Sequence, residues 1–183
     1  IISIDYGYEK NQFYNPYRKK GLLRCYDQNT VNQNPFLKPG KQDITSHVDF
    51  TSVNEELNKL GINKIFDISQ YEFLKNLGIE NLITDLQNKY KNNKINKKVY
   101  KQNLNAIYML TNPNGLGKFR VLLHSTKDLY DILNKNEDKI FKKNKDIQCP
   151  IITTSNEYIN FLSIPKKDNN MIENKTWKEI FDL

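Results

Sequence analysis

The chain opens with a short apolar run, Ile1-Ile2-Ser3-Ile4, which stops abruptly at Asp5-Tyr6-Gly7-Tyr8. A continuous apolar run is typical of a central strand that is buried on both faces of a sheet. Because ligands of open α/β sheets bind at the carboxyl ends of strands, a carboxylate at Asp5 is well placed to meet one. The alternative is that Asp5 caps a helix and Gly7 only makes the turn. A strand already under way at the first residue also predicts a chain cropped from a longer one.

A second dense polar segment, Asp43 to Phe50, lies directly before a predicted helix. It contains two carboxylates, two hydroxyls and His47, and a helix start adds backbone N–H donors and the positive end of a dipole. The alternatives are ordinary ones, in which Asp49 is the N-cap and His47 satisfies local hydrogen bonds rather than carrying a proton. His124 ends a predicted strand without nearby partners, and we interpret it as structural.

The hydrophobic pattern predicts an α/β order of elements up to residue 125. Phe50, Val53, Leu57 and Leu60 share one face of a helix, which begins either at Asp49 or at a capping box over residues 52–55. Further predicted elements are strands at 62–68 and 118–123 and helices at 70–77, 79–90 and 99–110.

Residues 9–48 show no convincing period and contain several prolines and glycines, so we predict a long functional loop with a short strand or arm at 21–26. Residues 126–183 are treated as a separate extension. It has a predicted helix around Leu129–Leu133 and short elements near 151–152, 158–162 and 177–181, and its function is unassigned.

The net charge of +7 raises the question of nucleic-acid binding. The first 125 residues carry 18 Lys and Arg against 11 Asp and Glu, whereas residues 126–183 carry ten of each. Much of the excess is a run of lysines alternating with asparagines, without the aromatic residues of a nucleic-acid platform. A solvated helix face is therefore favoured over nucleic-acid binding. The lysines are Lys89, Lys91, Lys94, Lys97, Lys98 and Lys101.

Several other classes of protein are disfavoured. Cys25 and Cys149 belong to no metal-ligand spacing, so no metal site is predicted and both thiols are expected to be reduced. No apolar run approaches the roughly 20 residues of a membrane span. No serine lies in a nucleophile-elbow motif that would complete a Ser-His-Asp triad.

The segments named above resemble, in the same order, the C-terminal half of the MidA family of S-adenosylmethionine-dependent methyltransferases. This family includes the mitochondrial enzyme that methylates an arginine during assembly of respiratory complex I. The resemblance covers roughly residues 1–125, and its long middle motif is the most specific part. The matching segments are Asp5–Tyr8, Gly21–Cys25, Pro35–Phe50, Ser69-Gln70, Phe73-Leu74, Leu77–Ile79 and Gly115–Leu122.

The resemblance implies a Rossmann-like class I methyltransferase sheet, to which residues 1–125 contribute the C-terminal half. Residues 1–4 would be its fifth strand, 62–68 its sixth, and 118–124 its seventh, inserted antiparallel. The chain contains no glycine-rich Gly-x-Gly-x-Gly loop after a strand, and the family places that loop upstream. This fragment is therefore expected to bind S-adenosylmethionine poorly or not at all.

The function that the resemblance implies is methylation of a protein side chain, with arginine as the expected acceptor. Asp5, Asp43 and Asp49 are the candidate carboxylates that hold the guanidinium. The candidate lining of the acceptor pocket is Tyr6, Tyr8, His47 and Phe50, and Arg24 would contact substrate or close the long loop, its ordinary alternative being a surface ion pair. The implied compartment is the bacterial cytoplasm or the mitochondrial matrix. The alternative function is a non-catalytic remnant that binds a partner protein through the basic segment Lys89–Lys101.

Overall fold

The computed structural model describes residues 1–27, 30–134 and 140–141. The described residues divide into two compact units, one formed by residues 1–27, 30–69, 119–134 and 140, and the other by residues 70–118 and 141. The short elements predicted near 151–152, 158–162 and 177–181 lie outside the described residues.

The main sheet of the first unit has three strands: β1 (Ile2–Asp5), β7 (Ile62–Ser69) and β8 (Arg120–Thr126). Their order is β1-β8-β7, and β8 runs antiparallel to both neighbours. Val121 and Leu122 on β8 are completely buried. The antiparallel direction expected for this strand is confirmed, whereas the numbering of the three strands within a seven-stranded sheet stays a prediction.

The expectation that the opening strand is buried on both faces is wrong for this chain. Ile2 and Ile4 are 61% and 50% exposed. The reason is that β1 lies at the edge of the sheet, where among the described residues only β8 pairs with it. An apolar run indicates that a strand prefers to be buried, but it does not reveal which neighbouring elements are present to bury it.

The strand predicted at 118–123 begins two residues later, because residues Leu116–Lys118 form a short 3₁₀-helix. A Cβ on Gly117 would lie 2.6 Å from the carbonyl oxygens of both Thr111 and Asn112. Only glycine allows this close backbone approach, which is the local reason for the tight turn before β8.

The long loop contains more regular structure than its lack of period predicted. The arm at 21–26 is confirmed as a strand, although shifted to β3 (Arg24–Asp27). It forms the centre of a second small sheet, between β4 (Thr30–Asn32) and β5 (Asp43–Thr45). Cys25 is fully buried there. A separate pair of two-residue strands, β2 and β6, runs parallel. The elements of this region are β2 (Gly7–Tyr8), α1 (Lys10–Phe13), β3 (Arg24–Asp27), β4 (Thr30–Asn32), β5 (Asp43–Thr45) and β6 (Val48–Asp49).

Two further helices belong to the first unit. α2 spans Phe50–Lys59 and contacts β7, and α6 spans Lys127–Asn134 and contacts β7 and β8. The helix predicted around Leu129–Leu133 is thus confirmed. Because α6 lies against the main sheet, the boundary at residue 125 between a methyltransferase part and an extension stays a prediction.

Among the described residues, the second unit contains the helices α3 (Gln70–Leu77), α4 (Ile79–Lys91) and α5 (Lys97–Thr111), as the pattern predicted, together with the 3₁₀-helix Leu116–Lys118. Gly78 stands between the first two with φ 91°, a conformation that favours glycine. The lysine run does not form one helix, since it spans the end of α4, a turn and the start of α5. In the described part of the chain no helix is both long and apolar enough to cross a bilayer. The core of this unit is formed by Ile79, Ile83, Leu86, Leu104 and Ile107.

Candidate functional site

The parallel pairing of β2 with β6 brings together three aromatic residues that the sequence singled out. Gly7 pairs with Val48, and the Val48 amide donates a 3.1 Å hydrogen bond to the carbonyl oxygen of Tyr6. As a result the His47 ring lies edge-on to Tyr6 at 5.1 Å and stacks on Tyr8 at 5.0 Å between centroids. We name Tyr6, Tyr8 and His47 the aromatic cluster.

His47 has one unusual property in this cluster. Its Nδ1 is buried and has no hydrogen-bond partner in the described structure. A buried polar atom without a partner is uncommon and calls for an explanation such as a water molecule or a ligand. The aromatic cluster therefore presents ring faces together with one imidazole nitrogen that is able to accept or donate a proton.

Gly7 is the residue that allows the cluster to form. A Cβ at this position would lie 2.1 Å from the carbonyl oxygen of Val48 and 2.7 Å from the Phe50 ring. No side chain fits there. Gly7 therefore does more than make a turn, because glycine is required for the close approach of the two chain segments. Phe50 itself is only 2% exposed. It supports Gly7 from the core of the first unit rather than forming an open wall of a pocket.

A charged network that the sequence did not reveal lies over Phe50. The Arg120 guanidinium stands 4.3 Å above the Phe50 ring and is bound on both sides by carboxylates. Its Nε donates a 2.8 Å hydrogen bond to Oδ1 of Asp67, a second nitrogen contacts Oδ2 of the same residue, and Nη1 lies 2.6 Å from Oε1 of Glu9. We name Glu9, Asp67 and Arg120 the arginine network.

The network shifts the pKa of Glu9 and that of Arg120. A hydrogen bond from Thr51 to Glu9, at 2.5 Å, together with the charge of Arg120, lowers the pKa of Glu9 against the opposing effect of burial. Although burial opposes the charged form of Arg120, Asp67 and Glu9 outweigh it and raise the pKa of Arg120. Glu9 and Arg120 are therefore both charged at neutral pH, and the guanidinium is held in place over the Phe50 ring.

The three candidate carboxylates occupy different environments. Asp5 ends β1 opposite Arg120 and accepts a 2.8 Å hydrogen bond from the amide of Tyr6. Asp49 pairs in register with Tyr8, so the segments that contain Asp5 and Asp49 meet at this point. Asp43 lies instead on the exposed edge strand β5 of the small sheet, opposite Tyr26. The structure thus joins the segments of Asp5 and Asp49 through β2 and β6, whereas Asp43 belongs to another sheet.

Asp49 serves as the N-cap of α2, and the competing capping box at residues 52–55 is not used. Its carboxylate accepts hydrogen bonds from the amide and the hydroxyl of Ser52, at 3.2 and 2.8 Å. Desolvation raises the pKa of this carboxyl, but the hydrogen bonds from Ser52 outweigh it and lower the pKa overall.

We expect Asp49→Ala to reduce the free energy of unfolding by about 1 kcal/mol through loss of the cap. Asp49→Asn retains an acceptor for Ser52 and should keep most of that stability, as measured by urea denaturation. Comparison of these two variants also distinguishes capping from catalysis, because a catalytic role that needs a carboxylate would be lost in Asp49→Asn. An alanine variant as stable as the parent chain would show that the capping assignment is wrong.

The remaining candidates have local structural roles. Nη1 of Arg24 donates to the carbonyl oxygens of Leu23 and Gly21, at 2.7 and 3.2 Å, rather than to a carboxylate. His124 is 1% exposed, and its Nε2 lies 2.8 Å from Oδ1 of Asn54. Burial and the charge of Lys64 lower the pKa of His124, so the ring is neutral at pH 7. This agrees with a structural role for His124.

Comparison with known proteins supports the interpretation of this region. Residues 1–66 match the model of a family described as "Putative S-adenosyl-L-methionine-dependent methyltransferase". These residues include the whole aromatic cluster, together with Gly7, Asp49 and Phe50. A search of curated proteins found no significant match.

Two solved structures from Burkholderia thailandensis are similar to the chain. One is a COG1565 superfamily member bound to S-adenosyl-homocysteine, and the other is the native structure of an uncharacterized COG1565 superfamily protein. Each is 29% identical, with a TM-score of 0.58 over 68% of this chain. The chain spans about a third of the length of these proteins, 31% of the first and 32% of the second. The family match and the similarity to these mixed α/β structures support a relationship of the chain to S-adenosylmethionine-dependent methyltransferases.

Proposed function

We propose that this chain is part of an S-adenosylmethionine-dependent methyltransferase of the MidA type and that it supplies the methyl-acceptor side of the active site. The observation that carries the proposal is the aromatic cluster. It is formed at the carboxyl end of β1, and it lies within the residues that match the methyltransferase family model. Carboxyl ends of strands are where α/β sheets of this kind bind their ligands.

The acceptor class that we propose is the guanidinium of an arginine side chain in a protein. The ring electrons of Tyr6 attract a planar cation. The Tyr8 ring already contacts the His47 ring and the Arg18 guanidinium, so it supports the site without facing the substrate. Asp5 and Asp49, which end β1 and begin α2, are charged groups that can orient it by hydrogen bonds. Both carboxylates already hold backbone amides of their own segments, so a substrate would share their remaining lone pairs.

His47 is the proposed proton acceptor. A guanidinium that gains a methyl group must lose one proton if its charge is to stay at +1. The buried Nδ1 of His47 has no partner among the described residues, and an imidazole nitrogen is a common general base in enzymes. The aromatic contacts with Tyr6 and Tyr8 hold the ring in one orientation for this task.

The residues that line the cavity of the first unit do not fit the cofactor itself. The cavity in the first unit is lined without any carboxylate that could bind ribose hydroxyl groups, and its one charged residue is the cation Arg18. A positive sulfonium would be repelled there. We therefore propose that the cofactor is held mainly by protein upstream of Ile1, and no step of transfer is assigned to residues of this chain beyond orienting the acceptor and accepting its proton.

This proposal predicts that the 183-residue chain and the longer protein differ in cofactor binding. The 183-residue chain is expected to give no heat of binding with S-adenosylmethionine in calorimetry. The protein expressed with the coding sequence upstream of Ile1 is expected to bind it, and that sequence should contain a glycine-rich loop after a strand. Micromolar binding by the 183-residue chain alone would contradict the proposal. Absence of such a loop would instead favour the partner-binding remnant.

A further inference from the structure

The first unit contains an open cavity of about 410 Å³ beside the aromatic cluster. This volume lies within the usual range of ligand sites, roughly 300–1,000 Å³. Ser46 and Asn15 are polar residues of its lining. The apolar part of the wall is formed by Phe13, Tyr14, Pro16, Leu22 and Leu23.

Arg18 is the charged residue of the cavity lining, and it is unusually well fixed for an exposed side chain. Its guanidinium lies 4.1 Å from the centre of the Tyr8 ring, and its Nε donates a 3.0 Å hydrogen bond to the carbonyl oxygen of Gln12. Its backbone amide also donates to Asn15. The two terminal amino groups have no hydrogen-bond or ion-pair partner in the part of the chain that the structure describes.

This geometry favours one kind of ligand. The Nε of Arg18 is already hydrogen-bonded and its planar guanidinium face already lies on the Tyr8 ring. The two terminal amino groups remain as a fork, which matches the two oxygens of a carboxylate. Because the side chain is held in place beforehand, little conformational entropy is lost when a ligand binds. The lining contains no carboxylate to compete, and Lys19 and Lys20 follow directly in the sequence.

We propose that this cavity is a binding subsite for a carboxylate carried on an apolar group, with Arg18 pairing the carboxylate and the Phe13–Leu23 wall covering the apolar body. Either a free organic acid or an acidic residue next to an apolar one in a protein segment has this chemistry. The subsite borders the proposed acceptor site, because Arg18 lies on the Tyr8 ring, but its occupancy requires neither the cofactor nor the acceptor.

The test is binding of small probes to the 183-residue chain, followed by two-dimensional NMR. We expect 3-phenylpropanoate to bind in the millimolar range and to shift the ring signals of Tyr8, whereas the isosteric 3-phenylpropanamide and the cation phenethylamine bind at least about tenfold more weakly. Arg18→Gln should weaken binding of the acid by a similar factor. Lys19→Gln is the matched control, because it removes a neighbouring charge that does not line the cavity.

A second arm compares the free acid with a blocked Phe-Glu dipeptide. Tighter binding of the dipeptide identifies a protein segment as the source of the carboxylate, and tighter binding of the acid identifies a small molecule. Equal binding of acid and amide, an unchanged affinity in Arg18→Gln, or no binding at 10 mM probe by the folded chain, a concentration on the order of a weak ligand's Kd, would overturn the proposal. None of these results bears on cofactor binding, which tests the proposed function separately.

Discussion

Replacing Gly7 by alanine is expected to lower the free energy of unfolding by at least about 3 kcal/mol, the upper end of the range for overpacking. The added Cβ would lie 2.1 Å from the carbonyl oxygen of Val48, which is backbone and cannot rotate away. The β2–β6 pair must therefore separate, and the aromatic cluster would separate with it. Urea denaturation measures the loss, and the NMR signals of Tyr8 and His47 should lose their ring-current shifts.

Gly115→Ala provides the matched control for this substitution. The same methyl group at Gly115 meets only the Asn112 side chain, at 3.6 Å, an ordinary contact distance. Its effect on stability should be within about 1 kcal/mol. If Gly7→Ala were as well tolerated as Gly115→Ala, the close approach of β2 and β6 would not be required for folding, and our account of the cluster would fail.

Arg120→Met is expected to be the second most damaging change, at about 2 to 3 kcal/mol. It keeps the side-chain volume over Phe50 but leaves Asp67, whose side chain is 10% exposed, with only the longer 3.9 Å contact to Lys64. The double variant Asp67→Asn with Arg120→Met should recover a part of this loss, because no unpaired charge remains between them. A double variant no more stable than Arg120→Met alone would show that the two side chains do not interact.

Glu9 gives the arginine network a pH dependence with a defined sign. The pKa of Glu9 is lowered in the folded chain relative to its ordinary 4.5, so the unfolded state binds a proton first as the pH falls. The stability from Glu9 is therefore complete above about pH 4.5 and is lost below it, as the pH drops through the folded pKa. Glu9→Gln should flatten this part of the stability profile, whereas a profile unchanged by the substitution would remove Glu9 from the network.

Much of the fold follows from local pattern. The helical period of Phe50 to Leu60 predicted α2, and the apolar residues of 70–110 predicted three helices, because these signals depend only on neighbours along the chain. Sequence resemblance placed Tyr6, Tyr8 and His47 in one pocket but did not predict how their rings come into contact. The basis of that contact is Gly7, whose role depends on a backbone contact with a segment 41 residues later in the chain.

The arginine network could not be predicted, because its three members come from elements that are distant in sequence. Arg120 and Asp67 are 53 residues apart, and nothing in either local segment marks a charge pair. Their proximity follows from the register of β7 and β8, in which Asp67 pairs with Leu122 and Ser69 with Arg120, so that the two charged residues are diagonal neighbours on one face. The exposure of β1 was likewise missed because edge position is a property of the sheet rather than of the strand.

The most direct test of the acceptor site is methyl transfer by the protein expressed from the full coding sequence, with and without His47→Ala. A labelled methyl group and mass spectrometry identify the product, and calorimetry measures the affinity for S-adenosylmethionine in both proteins. We predict methylarginine as the product of the unsubstituted protein, and in the variant a fall in kcat/KM of at least about 100-fold with unchanged cofactor affinity. Equal methyl transfer by both proteins would contradict the assignment of Tyr6, Tyr8 and His47 as the acceptor site.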